Sequence, residues 1–142
     1  MIRPSQEEFE TLTTRGNLIP VVREILADLD TPLSLFRRLD DGRTSFLLES
    51  VEGGEKWARY SFIGTGARAG FRAARKPGGG ATVTWTEGGV EQTHEVEGDP
   101  LEFLRDKLAL LQHVNPDNIA LPRFIGGAVG MVGYDWVRFV EK

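Results

Sequence analysis

The sequence contains no cysteine, which excludes disulfides, thiolate metal sites and a cysteine nucleophile, and fits a reducing compartment. No apolar run approaches the ~20 residues of a membrane-spanning helix. The opening Met-Ile-Arg-Pro-Ser-Gln-Glu-Glu lacks the apolar core of a secretory signal. No membrane partner is therefore expected, and the expected location is cytoplasmic. Basic residues number 17 against 21 acidic ones, for a net charge of -4. They are mixed along the chain, so there is no basic footprint for nucleic acid. Histidine occurs only at His94 and His113, with no second histidine at metal-ligand spacing and no Ser-His-Asp arrangement to argue. Both read as surface residues. Internal repeats, low-complexity tails and dividing linkers are also missing.

What remains is 142 residues, enough for one domain that buries roughly two-thirds of its unfolded surface. Ser5 and Glu8 stand at capping-box spacing, and Phe9 and Leu12 form a short apolar stripe, so residues 5–14 read as a brief helix ended by Gly16. Pro20 and the β-branched Val21-Val22 tilt residues 17–29 towards a strand. Thr31-Pro32 is an N-cap followed by proline at the first helical position, with Leu33, Phe36 and Leu39 on one face and Gly42 behind. Residues 68–75, 81–86 and 90–96, separated by Pro77-Gly-Gly-Gly and Glu87-Gly-Gly, read as an antiparallel meander whose last, polar strand lies near an edge. Asp99-Pro100 repeats the cap-plus-proline start. Leu101, Leu104, Leu108 and Leu111 then predict a helix over 99–113. The expected fold class is α+β, an antiparallel sheet with helices packed on the outside.

Residues 46–64 organise the rest. The stretch begins as a buried strand, breaks at Gly53-Gly54 and resumes as the apolar run 60–63. Alternation puts Leu48 and Ser50 on one face of the first strand and Glu49 on the other. A carboxylate such as Glu49 accepts from an ammonium group, and a hydroxyl such as Ser50 donates to a carboxylate. Leu48 would border an apolar slot for an indole. The same residues also fit a solvated strand end, where Glu-Ser pairs are common. Lys56 and Arg59 flank the glycine loop and read as solvated cations. Trp57, Trp85 and Trp136 read as packing or interface anchors, since no basic stripe accompanies them.

Residues 123–132 are apolar and carry Gly126, Gly127 and Gly130, with Gly133 just beyond. They predict a strand with bulges or a close backbone approach. Neither the G-x-G-x-x-G spacing nor a following Lys-Ser/Thr is present, so a nucleotide loop is a poor reading. From Asp135 the pattern Trp136, Val137, Phe139, Val140 predicts a helix without a stop signal, which leads us to expect a longer protein.

Leu-Leu-Glu-Ser at 47–50, Gly-Gly-Glu-Lys-Trp-Ala-Arg-Tyr-Ser-Phe-Ile-Gly at 53–64, Thr-Pro-Leu-Ser at 31–34 and Pro-Arg-Phe-Ile-Gly-Gly-Ala-Val-Gly-Met-Val-Gly-Tyr-Asp at 122–135 together resemble the N-terminal region of anthranilate synthase component I. Met131-Val132 stands where many relatives resemble Tyr-Phe. The resemblance implies a regulatory domain over residues 1–142, whose sheet is part of a larger β-sandwich-like core, and a C-terminal chorismate-binding domain outside this chain. It implies feedback inhibition by L-tryptophan bound at Ser50, with Leu48 and Glu49 beside it and the chorismate domain as the opposite wall. It also implies a full-length lyase that makes anthranilate and pyruvate from chorismate and ammonia, using magnesium and a glutamine amidotransferase subunit. No catalytic or metal-binding residue is expected in this chain. The N-terminal domain of aminodeoxychorismate synthase component I is an alternative of the same architecture. A non-enzymatic interaction domain docking through Trp136 to Val140 is the alternative of a different class.

Overall fold

A computed structural model describes residues 1–49, 60–117 and 119–141. The fold is α+β. Among the described residues the strands form small antiparallel sheets, two of two strands and one of three. The chain packs as two compact units: Met1–Ile25 with Phe71–Thr84 and Thr93–Lys142, and Leu26–Gly70 with Trp85–Gln92.

In the first unit, β1 (Ile2–Arg3) pairs with β2 (Val22–Arg23), Ile2 opposite Arg23. Strand structure in the 17–29 stretch is confined to those two residues of β2, because Pro20 has no N–H to extend the ladder. Helix α1 (Gln6–Leu12) starts at the expected capping box: Glu8 N donates to Ser5 Oγ at 3.3 Å, and Ser5 N donates to the Glu8 carboxylate at 2.8 Å. That backbone donor, followed by the Ser5 side chain, holds the Glu8 carboxyl below its ordinary range.

Helix α3 (Pro100–Ala109) starts at Asp99 as the cap-plus-proline signal requires, but stops four residues short of the expected 113. A distant asparagine is the cause. Asn17 Nδ2 donates to Leu110 O at 2.9 Å, its Oδ1 accepts from Gln112 N at 2.7 Å, and Asn17 N donates to Gln112 O at 3.0 Å. The backbone groups that would extend the helix are taken by chain 95 residues away in sequence, which leucine periodicity cannot register. Leu18 and His113 then bridge in parallel. Replacing Asn17 with alanine removes both side-chain bonds. The expected loss is about 1–2 kcal/mol in denaturant unfolding, given ~1 kcal/mol for a typical net hydrogen bond.

The meander is as expected: β5 (Ala69–Arg75), β6 (Ala81–Glu87) and β7 (Val90–Val96) are neighbours in chain order, with the polar β7 at an edge. Gly88 and Gly89 turn between β6 and β7 with φ of 59° and 80°, the left-handed pair that a two-residue hairpin with strand-matching twist demands. Within the first unit, Phe71 of β5 stacks on Phe103 of α3 at 6.4 Å, and the His94 ring of β7 lies 4.8 Å from Phe103. His94 is thus not a surface residue. It is half-buried, and its Nε2 is sealed from solvent with no hydrogen-bond partner among the described residues. Strand alternation turned it to the side of α3, together with Val96. His113 is exposed, as expected.

The buried hydrophobic residues among those described are Leu12, Ala81, Val83 and Val114, with Ala81 and Val83 wholly removed from solvent, and all four lie in the first unit. Residues 123–132, expected as a strand, have no secondary structure. Gly126 and Gly127 adopt φ of 154° and 138°, which a pleated strand does not use. The final helix is present as a 3-10 turn (Tyr134–Trp136) running into α4 (Val137–Val140). It is tied back by the Trp136 indole N–H, which donates to Asp99 Oδ1 at 3.0 Å, the same oxygen that caps α3 through Leu101 N at 2.8 Å.

In the second unit, α2 (Pro32–Leu39) starts at Thr31, whose Oγ1 accepts from Ser34 N at 3.1 Å while Thr31 N donates to Ser34 Oγ at 3.0 Å. Asp30 accepts from Ser34 Oγ at 3.1 Å and pairs with Arg38 at 2.9 Å, which fixes the first turn. Helix α2 lies against both β3 (Phe46–Glu49) and β4 (Ser61–Gly64).

Candidate functional site

The end of the β3-β4 pair is where a short strand carries polar groups to the rim of an apolar surface. The two strands run antiparallel with Phe46 opposite Gly64, Leu47 opposite Ile63, Leu48 opposite Phe62 and Glu49 opposite Ser61. Gly64 serves packing, because a Cβ there would overlap the Phe46 ring. An aromatic ring laid across a cross-strand glycine is a device that pins register.

Register in turn sorts the faces. Leu48 and Phe62, being directly opposed, share a face, and the Tyr60 ring stacks on Phe62 at 6.2 Å. Leu48 is 45% exposed and Tyr60 58% exposed, so this apolar, aromatic floor stays open to solvent. Glu49 lies on the opposite face beside Ser61, and both are exposed. The strand alternation read from sequence is therefore realised through Glu49, with Leu48 pointing away from it. Ser50 itself, with Gly53, Gly54, Lys56, Trp57 and Arg59, lies outside the described residues.

Chemically, an open floor of leucine and aromatic rings accepts a flat apolar group, while the Glu49 carboxylate offers a cation acceptor on the opposite face of the pair. Sequence reading passed over Ser45 at the head of β3, whose Oγ is buried without a hydrogen-bond partner among the described residues. A serine in an Arg-Thr-Ser run gives no burial signal. Among the described residues no three His, Asp or Glu side chains gather to hold a metal, and no helix is long and apolar enough to cross a membrane. In the first unit an open hollow of about 380 Å³, lined by Met1, Arg3, Val22, Glu24, Ile119 and Ala120, involves none of the β3 residues.

Comparison with known proteins decides the kinship. The chain is 41% identical to anthranilate synthase component 1 of Acetivibrio thermocellus over its whole length. It is 47% identical to that of Pseudomonas putida over 97% of its length and 45% identical to that of Acinetobacter calcoaceticus over 96%. By sequence the chain is homologous to the N-terminal region of anthranilate synthase component 1. It spans about a quarter of the length of these curated relatives, 27% in each case. No protein-family model and no solved structure matches it. The kinship to anthranilate synthase component 1 covers the β3-β4 segment and the glycine-rich run alike, because the matches extend across nearly all of the chain.

Proposed function

We propose that this chain is the L-tryptophan-sensing part of an anthranilate synthase component 1. In that role Ser50, Leu48 and Glu49 contact the effector at the end of β3. The full protein converts chorismate and ammonia to anthranilate and pyruvate in tryptophan biosynthesis. A glutamine amidotransferase subunit supplies the ammonia, and magnesium and the catalytic residues belong to polypeptide outside this chain. The observation that carries the reading is the high identity to proteins of that name across nearly the whole chain. The open Leu48-Phe62-Tyr60 floor supports it as a surface that an indole fits. The effector acts only through its differential affinity: it favours the inactive arrangement to the extent that it binds that state more tightly.

The test uses the complete enzyme. A bulky Ser50→Phe side chain occupies effector space but touches no reacting atom. The half-inhibiting tryptophan concentration is expected to rise by at least ~10-fold, corresponding to ~1.4 kcal/mol of lost coupling, with uninhibited turnover nearly unchanged. Unaltered inhibition removes Ser50 from the site. Formation of aminodeoxychorismate instead of anthranilate by the unsubstituted enzyme overturns the assignment as a whole.

A further inference from the structure

The turn formed by residues 134–140 cannot hold its own direction. Helix α4 is one turn long, and neither it nor the 3-10 turn ahead of it has a side-chain cap. A helix of that length is marginal in water without outside support. Trp136 N donates to Gly133 O at 3.1 Å, Glu141 N donates to Val137 O at 2.9 Å, and Arg138 pairs with Asp135 at 3.4 Å. All three ties lie within residues 133–141, so they shape the turn without aiming it.

Support comes from Asp99. The Trp136 indole N–H donates to Asp99 Oδ1 at 3.0 Å, across 37 residues of sequence. The same oxygen accepts from Leu101 N at 2.8 Å as the cap of α3. A carboxylate oxygen has lone pairs for two donors, so one atom starts one helix and aims another. Both bonds are partly buried.

Asp99 is itself fixed. Pro100 behind it is buried and locks φ at the first helical position. One turn further on, Phe103 stacks on Phe71 of β5 at 6.4 Å and lies 4.8 Å from the His94 ring of β7. A line of contact therefore runs within the first unit from the meander through α3 and Asp99 to Trp136 and α4.

We propose that Trp136 and Asp99 are positioning residues: their bond sets the direction in which the chain continues from α4, and through it the coupling between the effector at β3 and the catalytic polypeptide. The inference rests on the reading given above, in which those two belong to one longer protein. The relatives support the continuation, since this chain spans 27% of each. On that reading the chemistry takes place outside this chain, so a loosened connection lowers the coupling and leaves the uninhibited reaction alone.

The test uses the complete enzyme unsubstituted, as Asp99→Ser, as Trp136→Phe and as the double variant. Asp99→Ser keeps a capping hydroxyl but ends one bond short of the indole. Trp136→Phe keeps a large aromatic ring without the donor and leaves the α3 cap untouched, so its result stands even where Asp99→Ser fails to fold. Each single change is expected to raise the half-inhibiting tryptophan concentration by about 3-fold or more, with uninhibited kcat and KM within ~2-fold. The double variant is expected to match the single ones, because both remove the same bond. Asp99→Asn keeps the cap and an acceptor at the same reach, and is expected to be inhibited as the unsubstituted enzyme is. Additive effects, unchanged inhibition in the single variants, a fall in uninhibited kcat as large as the change in inhibition, or a loss in Asp99→Asn equal to that in Asp99→Ser overturns the proposal and leaves the functional reading intact. An unsubstituted enzyme that does not respond to tryptophan overturns that reading and the proposal with it.

Discussion

Val83→Asp is expected to unfold the first unit. Val83 is fully buried in the central strand of the meander, the largest side chain wholly removed from solvent among the described residues. The substitution gives up about 1.5–3 kcal/mol of apolar burial. It also places a carboxylate at a position wholly removed from solvent, at a further cost of several kcal/mol. Whole-domain stability is typically about 5–15 kcal/mol, so the combined loss is large against it. Val83→Ala, which leaves only a cavity, is expected to cost about 2 kcal/mol and keep the fold. Thr84→Asp, on the neighbouring half-exposed position, controls for the added charge. Far-ultraviolet circular dichroism and urea midpoints separate the three. A native midpoint for Val83→Asp would show that this residue is not the centre of the core.

Gly80→Val is expected to cost at least ~3 kcal/mol, from two sources that add. Gly80 closes the β5-β6 turn with φ of 69°, where Lys76 N donates to Gly80 O at 3.0 Å. A β-branched residue resists that left-handed conformation by about 1–2 kcal/mol or more. A Cβ there would also overlap the Val96 carbonyl oxygen and crowd Glu97 Cα at 3.2 Å. Both are backbone atoms, so no rotamer change relieves the contact. Gly79 is the internal comparison: its φ is 99°, but a Cβ there meets nothing within 4 Å. Gly79→Ala should therefore incur the conformational term alone, about 1–2 kcal/mol. Equal losses at the two positions in thermal unfolding would mean that the overlap with β7 does not exist in solution.

Near both sites the surface polar pairs are secondary. Lys76 and Thr82 both bond the Glu95 carboxylate, and the Lys76 bond comes first in holding that carboxyl below its ordinary range. The group is exposed, and exposed pairs contribute little to stability.

Legibility in the sequence followed the range of the interactions. The three longer helix starts needed only residues within one turn of each other, Ser5 with Glu8, Thr31 with Ser34 and Asp99 with Leu101, and local spacing shows such pairs directly. The meander was equally legible, since turn glycines and alternating valine and threonine are local features too. Errors arose wherever a partner came from far along the chain. Helix α3 was overrun because the groups that stop it belong to Asn17. His94 was read as exposed because nothing near it in sequence reveals α3. The glycine run was read as a strand because its composition describes a covered state, while the described residues supply no cover.

The candidate site divides in the same way. The polarity and alternation of residues 46–49 could be read from their order alone. That Leu48 faces Phe62, and that Phe46 lies over Gly64, depends on a strand more than ten residues further on. Sequence by itself determined the α+β class, the caps, the hairpin turns and the kinship with anthranilate synthase component 1. Tertiary structure alone decided where α3 ends, which side of β7 is buried, which face of β3 is apolar and open, and that the glycine run stands uncovered. Periodicity and capping are properties of neighbouring residues, whereas burial and register are set by whichever distant segment arrives to pair.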